Sequence, residues 1–201
     1  MSDIFKTITT TSSGIYKEKG SKFLSFAIPV STSDEVKEFV KNYRKEYHDA
    51  RHACYAYMLG ADRNDFRTND DGEPGGTAGR PILGQINSRE LTNVLVIVVR
   101  YFGGILLGTG GLTTAYKEAA ADALNLAAII EKTVDVIISI HFDYVQTNEV
   151  MHIIKDSNAR IIQQSFENLC VIQLSIPKQN ENQFTSKLNK IMGLVIKMEQ
   201  I

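Results

Sequence analysis

The 201-residue sequence has no tryptophan, two cysteines, four prolines and no surplus of either charge, and its longest unbroken aliphatic run, residues 94–99, is six residues long. A helical membrane span needs about 20 apolar residues, so none is expected. Cys54 and Cys170 lie far apart without a CxxC pairing, which points to buried thiols rather than a disulfide framework or zinc site. Lys plus Arg total 22 against 23 Asp plus Glu, a formal charge of −1. That balance excludes a long-range cationic field, so any site for nucleic acid or phosphate must be a local patch. The opening MSDIFKTITT lacks an apolar core of the secretory type, and a cytoplasmic location is expected. With 43% hydrophobic and 22% charged residues, the chain has the composition of a globular protein.

Residues 15–30 read as two strands around a turn at Gly20. Ser33, Asp34 and Glu35 cap a helix with apolar residues at Val36, Phe39, Val40 and Tyr43, ending near Tyr47. Residues 52–59 are strand-like, and 61–79 form a polar loop. Residues 94–102 have the β-branched pattern of a strand buried on both faces, followed by GGILLGTGG and an alanine-rich helix over 112–130. From Thr133 the predicted order is strand 134–142, helix 144–156, strands 159–166 and 169–176, helix 180–192 and strand 194–200. That order closes as a ferredoxin-like βαββαβ sandwich. Thirteen of the 14 glycines precede residue 131. The expected organisation is therefore α+β with two domains, 1–130 and 131–201, and the functional surface in the first.

Two segments concentrate chemistry. Asp70, Asp71, Glu73, Gly76, Thr77 and Gly79 fall within DDGEPGGTAGRP, where glycine permits close approach and the carboxylates offer a polar face. The alternative reading is a turn whose carboxylates cap their own backbone. Those carboxylates could meet Mg²⁺ and a substrate phosphate, yet no partner cluster with ligand spacing exists, and no dedicated metal site or cofactor is expected. In the second segment, Gly103, Gly104, Gly108, Thr109, Gly110 and Gly111 lead from the buried strand into a helix start that favours an anion. The alternative is close packing of that helix on a sheet. Gly108, Gly110 and Thr113 miss the third glycine of G-x-G-x-x-G, and there is no P-loop lysine. Arg51, Arg67, Arg80, Arg100 and Lys117 lie in or beside these loops and suit phosphate contact. Arg100, inside an apolar run, has pairing with Asp71 or Glu73 as its alternative. His52 and Cys54 share a strand face, but no third member completes a catalytic set, and no catalytic residue is assigned.

HDARHACYAYMLG, DDGEPGGTAGRPIL and NVLVIVVRYFGGILLGTGGL, in this order over about residues 15–125, closely resemble the YigZ/IMPACT family. The family pattern has Ser where this chain has Gly75 and a basic residue after GTGGL where this chain has Thr113 and Thr114. The resemblance implies that the first domain shares the α/β fold of the second domain of a small-subunit ribosomal protein. It implies a ferredoxin-like second domain similar to the fifth domain of elongation factor G. Eukaryotic family members are regarded as translational regulators, so the expected function is an RNA- or ribosome-associated factor in control of translation, without DNA sequence specificity or membrane contact. Two alternatives stand beside it: an enzyme acting on a phosphorylated small molecule, and a protein-binding regulator with no ligand.

Overall fold

A computed structural model describes residues 3–167 and 169–199 and divides the chain into two compact units, 3–132 and 133–201. Both are α+β with antiparallel sheets. No helix among the described residues is long and apolar enough to cross a membrane.

The first unit is built on a five-stranded sheet in which β2 (Ser12–Glu18) and β3 (Ser21–Pro29) form the expected hairpin. Lys19 and Gly20 both have positive φ, 46° and 79°, the conformation of a two-residue turn that matches strand twist. β6 (Val94–Tyr101) lies between β3 and β4 (His52–Leu59), and β5 (Asp65–Asn69) closes the far edge, giving the order β2-β3-β6-β4-β5. β6 is central and covered on both faces, which is why seven of its eight residues are buried. β5 falls in what the sequence reads as continuous loop; its DFRTN has one apolar residue because it is a solvent-facing edge strand.

One sheet face is covered by α2 (Gly79–Ser88) and α3 (Gly108–Asn125), whose Ile82, Ile86, Ala115, Tyr116 and Ala119 pack on Cys54, Ala56, Val96 and Val98. The other face carries α1 (Ser33–Glu46), packed through Val36, Phe39, Val40 and Tyr43 on Tyr57, Leu95 and Ile97. Thr32, one residue before the expected cap, closes α1 in a capping box with Glu35. α3 starts four residues earlier and ends five earlier than the apolar pattern suggests. The glycines enter its first turn, and residues 129–133 form β7 (Ile129–Thr133), paired with β1 (Ile4–Ile8). Neither short strand has an internal period long enough to read from sequence.

The second unit follows the expected βαββαβ order: β8 (Asp135–Phe142), α4 (Thr147–Asp156), β9 (Arg160–Phe166), β10 (Cys170–Pro177), α5 (Glu181–Leu188) and β11 (Val195–Glu199). β10 pairs antiparallel with both β8 and β9, so those two run parallel with β10 between them, in the order β11-β8-β10-β9. Ile138, Ile140, Ile172 and Leu174 pack beneath Val150, Ile154, Phe184 and Leu188. α5 stops at Leu188 rather than 192, since the chain must turn through Gly193, at φ 87°, to enter β11.

Candidate functional site

The three carboxylates of the acidic loop hold three different parts of the first unit. α2 has no capping side chain at its own N-cap, Ala78. Asp70, at the end of β5, supplies the missing acceptor: Oδ1 receives the N–H groups of Ala78 (3.0 Å) and Gly79 (2.8 Å), and Oδ2 that of Gly76 (2.8 Å). Burial pushes its carboxyl pKa up, but these three N–H donors and the Arg80 charge outweigh burial and hold it below the ordinary carboxylate value. Asp71, at φ 44°, turns the other way and accepts from Ala53 N on β4 (2.7 Å) and from Arg44 on α1. Glu73 points inward. Its side chain is 4% exposed and Oε1 receives Arg100 Nη1 from β6 (2.6 Å) and the Tyr116 hydroxyl from α3 (2.9 Å).

His52 and Cys54 complete this cluster from β4. His52 Nδ1 lies 2.7 Å from the Asp71 carbonyl, which only accepts, so Nδ1 carries hydrogen and Nε2 is left facing Glu73 Oε1 at 3.8 Å. Cys54 Sγ lies 3.0 Å from the Asp70 carbonyl and 3.4 Å from the Tyr116 hydroxyl. Burial drives the thiol and the phenol far above their ordinary pKa values, so both stay protonated near neutral pH. A protonated thiol is not the nucleophile that covalent catalysis needs. Tyr116 was reachable from sequence only by projecting α3 onto the sheet, one helical turn after Leu112.

Arg100 is therefore placed apart from the surface cations with which the sequence groups it. Its side chain is 6% exposed, its guanidinium lies 5.5 Å from the Phe23 ring and 5.6 Å from the Phe102 ring, and it pairs with Glu73, the alternative the sequence allows. Its Nε is buried without a hydrogen-bond partner among the described residues. Thr77 closes its own turn through the Pro74 carbonyl, 2.7 Å away. Gly79 is glycine because a Cβ there would meet the β5 backbone at 2.8 Å.

The glycine-rich loop behaves differently along its length. Gly103 is sterically obligatory, since a Cβ would fall 1.9 Å from the Gly20 carbonyl carbon, and its N–H donates to Ser21 Oγ at 3.1 Å. Beyond it the loop opens. Gly104 and Gly108 have positive φ, and a Cβ at either, or at Gly110, would meet nothing within 4 Å. No side chain among the described residues caps α3, and no acid occupies its first turn; Thr113 and Thr114 bond back to the carbonyls of Thr109 and Gly110. Phe102 is 37% and Leu106 81% exposed. The Arg51 guanidinium stands 5.3 Å from the Phe102 ring, which brings Arg51 to this loop. Arg80 and Lys117 are exposed on α2 and α3. Arg67 is separated from these residues, since it lies on β5 opposite Tyr57 and faces the α1 side of the sheet.

Both loops fall within residues 19–124, the stretch matched by the model of the Impact N-terminal domain. The class is thus a protein built on that domain followed by a second α+β unit. The chain is 33% identical over 172 residues to the IMPACT family member YigZ of Escherichia coli strain K12, covering 85% of this chain and 84% of the relative. It is 30% identical over 171 residues to YvyE of Bacillus subtilis strain 168, covering 85% and 79%. A crystal structure described as that of a hypothetical protein superposes with a TM-score of 0.76 at 28% identity, over 100% of this chain and 99% of the other. The chain belongs to the IMPACT family. With the rat protein IMPACT, 36% identity extends over 96 residues, 45% of this chain and 30% of that one.

Breaking the buried pair should be costly: Glu73→Ala or Arg100→Ala is expected to lose about 3–5 kcal/mol in urea unfolding, because each leaves one buried charge alone. The double variant Glu73→Leu/Arg100→Met should lose clearly less than the sum of the two single losses. Additive losses would count against coupling between them.

Asp70 generates a pH dependence. Its folded-state pKa lies below the unfolded value of about 3.9, so its contribution is fully present above about pH 5 and disappears as pH falls through the folded value. Asp70→Ala should destabilise by about 0.5–2 kcal/mol at pH 7, and the gap to the unsubstituted protein should narrow below about pH 4. A gap that stays constant down to pH 2 would show that the carboxylate charge is not what holds α2.

Proposed function

We propose that this protein is an RNA- or ribosome-associated factor acting in control of translation, and that it contacts RNA through the open end of the glycine-rich loop. The observation that carries this reading is the uncapped start of α3, an 18-residue helix entered through glycines whose Cβ positions are open, at the end of a loop that carries exposed Phe102 with Arg51 against it. A phosphate would meet free donors and the positive end of the helix dipole. The Arg51 guanidinium over the Phe102 ring offers a planar group on which a base can stack, and Arg80 and Lys117 add cations at the margin. The family resemblance supports the assignment to translation. Location in the cytoplasm belongs to the same reading. The exposed Leu106 is the feature that favours the other regulator model, in which this loop binds a protein.

Titration of ribosomes and short RNAs over a salt series tests the reading. Arg51→Glu or Lys117→Glu should weaken binding by about 1–3 kcal/mol and lower the salt slope by roughly one per lost phosphate contact. Unchanged affinity and slope in both variants would overturn the assignment to this loop and favour the protein-binding model.

We further propose that the two units are independent domains, the first sharing a ribosomal-protein fold and the second ferredoxin-like. The separate cores and the split parallel pair β8 and β9 support this. Brief trypsin treatment should cut after Lys132 and leave two fragments that melt independently in calorimetry. A chain that melts as one transition and yields no stable fragment would contradict it.

A further inference from the structure

Within the first unit, α1 is the one helix among the described residues that packs on the sheet face opposite α2 and α3. A 14-residue helix is about 21 Å long and 10–12 Å wide, whereas five strands at about 4.8 Å spread over about 20 Å. One helix cannot close that width, and on the β5 side it leaves a cavity of about 370 Å³. Its lining is unlike the rest of this neutral chain. Lys37, Lys41 and Arg44 descend from α1 at i, i+4 and i+7, and Arg67 enters from β5, directly across from Tyr57 in the strand register. Tyr55 and Tyr57 supply ring surface from β4, and no carboxylate among the described residues lines the cavity.

The four cations are not equally occupied. Lys37 is bound to Asp34 at 2.7 Å and Arg44 to Asp71. Lys41 and Arg67 have no carboxylate partner among the described residues. Unneutralised cations that line one concavity repel each other and are relieved by a bound anion, and lysine and arginine are the residues that hold phosphate oxygens. The volume lies within the range of small-molecule sites and exceeds what a bare phosphate fills. Asp34, Asp65 and Asp71 belong to the surrounding elements, bound to Lys37, the Tyr57 hydroxyl and Arg44. They would repel a polyanionic strand continuing past the cavity. We propose that this groove binds a nucleoside polyphosphate, with the phosphates on Lys41 and Arg67 and the base against Tyr55.

The groove lies on the sheet face opposite α3 and its RNA reading, so the two stand or fall separately. Isothermal titration of the full chain with ATP, GTP and inorganic tripolyphosphate tests it. The expected result is saturable binding of one nucleotide per chain, tighter than tripolyphosphate. Arg67→Glu and Lys41→Glu should each weaken it about tenfold or more, while Lys187→Glu in the second unit leaves it unchanged. Both side chains are exposed, and Arg67→Gln and Lys41→Gln, with circular dichroism as the check on folding, serve in place of any reversal that unfolds. No saturable nucleotide binding up to about 1 mM, equal loss in Lys187→Glu, or nucleotide binding insensitive to both groove substitutions would overturn the proposal. Preference for an oligoribonucleotide over ATP and GTP with the same sensitivity would also overturn it, in favour of an RNA track.

Discussion

Glu73 is the point on which the first unit converges. A carboxylate removed from water is tolerable only when its charge is met and its oxygen hydrogen-bonded. Here the meeting partners come from β6 and α3, while the loop that delivers Glu73 begins at β5. One side chain thereby ties the central strand, the long helix and the acidic loop together, and Arg100 sits beneath Phe102 at the base of the glycine-rich loop. The position of the loop proposed to meet RNA thus depends on an ion pair that is itself buried.

Asp70 and Asp71 extend the same logic outward. Asp70 reaches across the loop to cap α2, and Asp71 pins β4 and α1. The sequence leaves open whether these carboxylates serve a ligand or their own backbone, and the geometry gives each of them protein donors. His52, with its Nδ1 committed to the Asp71 carbonyl, adds a further tie between β4 and the loop. The two regions proposed to meet a ligand are the start of α3, with no acid in its first turn, and the cavity beside α1, whose lining residues include no carboxylate among the described residues.

The two glycine loops show why composition alone misleads about sites. Gly79 and Gly103 are required by backbone contacts under 3 Å, a structural need unrelated to binding, whereas Gly104, Gly108 and Gly110 face open space. In the sequence all five look alike. The same holds for the arginines, since Arg51 and Arg100 both flank the Phe102 ring, one exposed and one buried.

The α+β class, the βαββαβ order of the second unit, β4 to the residue, the first hairpin and the family are legible in the order of residues, because apolar period, turn residues and contiguous motifs are local signals. β5, β1 and β7 emerge only from long-range pairing, since they are short or exposed and carry no period of their own. Packing also sets which charges meet. Glu73 and Arg100 are 27 residues apart and Glu73 and Tyr116 are 43 apart, and only the packing of α3 on the sheet brings them to one oxygen. Lys41 and Arg67 become neighbours of one cavity for the same reason: the packing of α1 on this sheet face leaves a gap on the β5 side, and no local pattern in the chain records it.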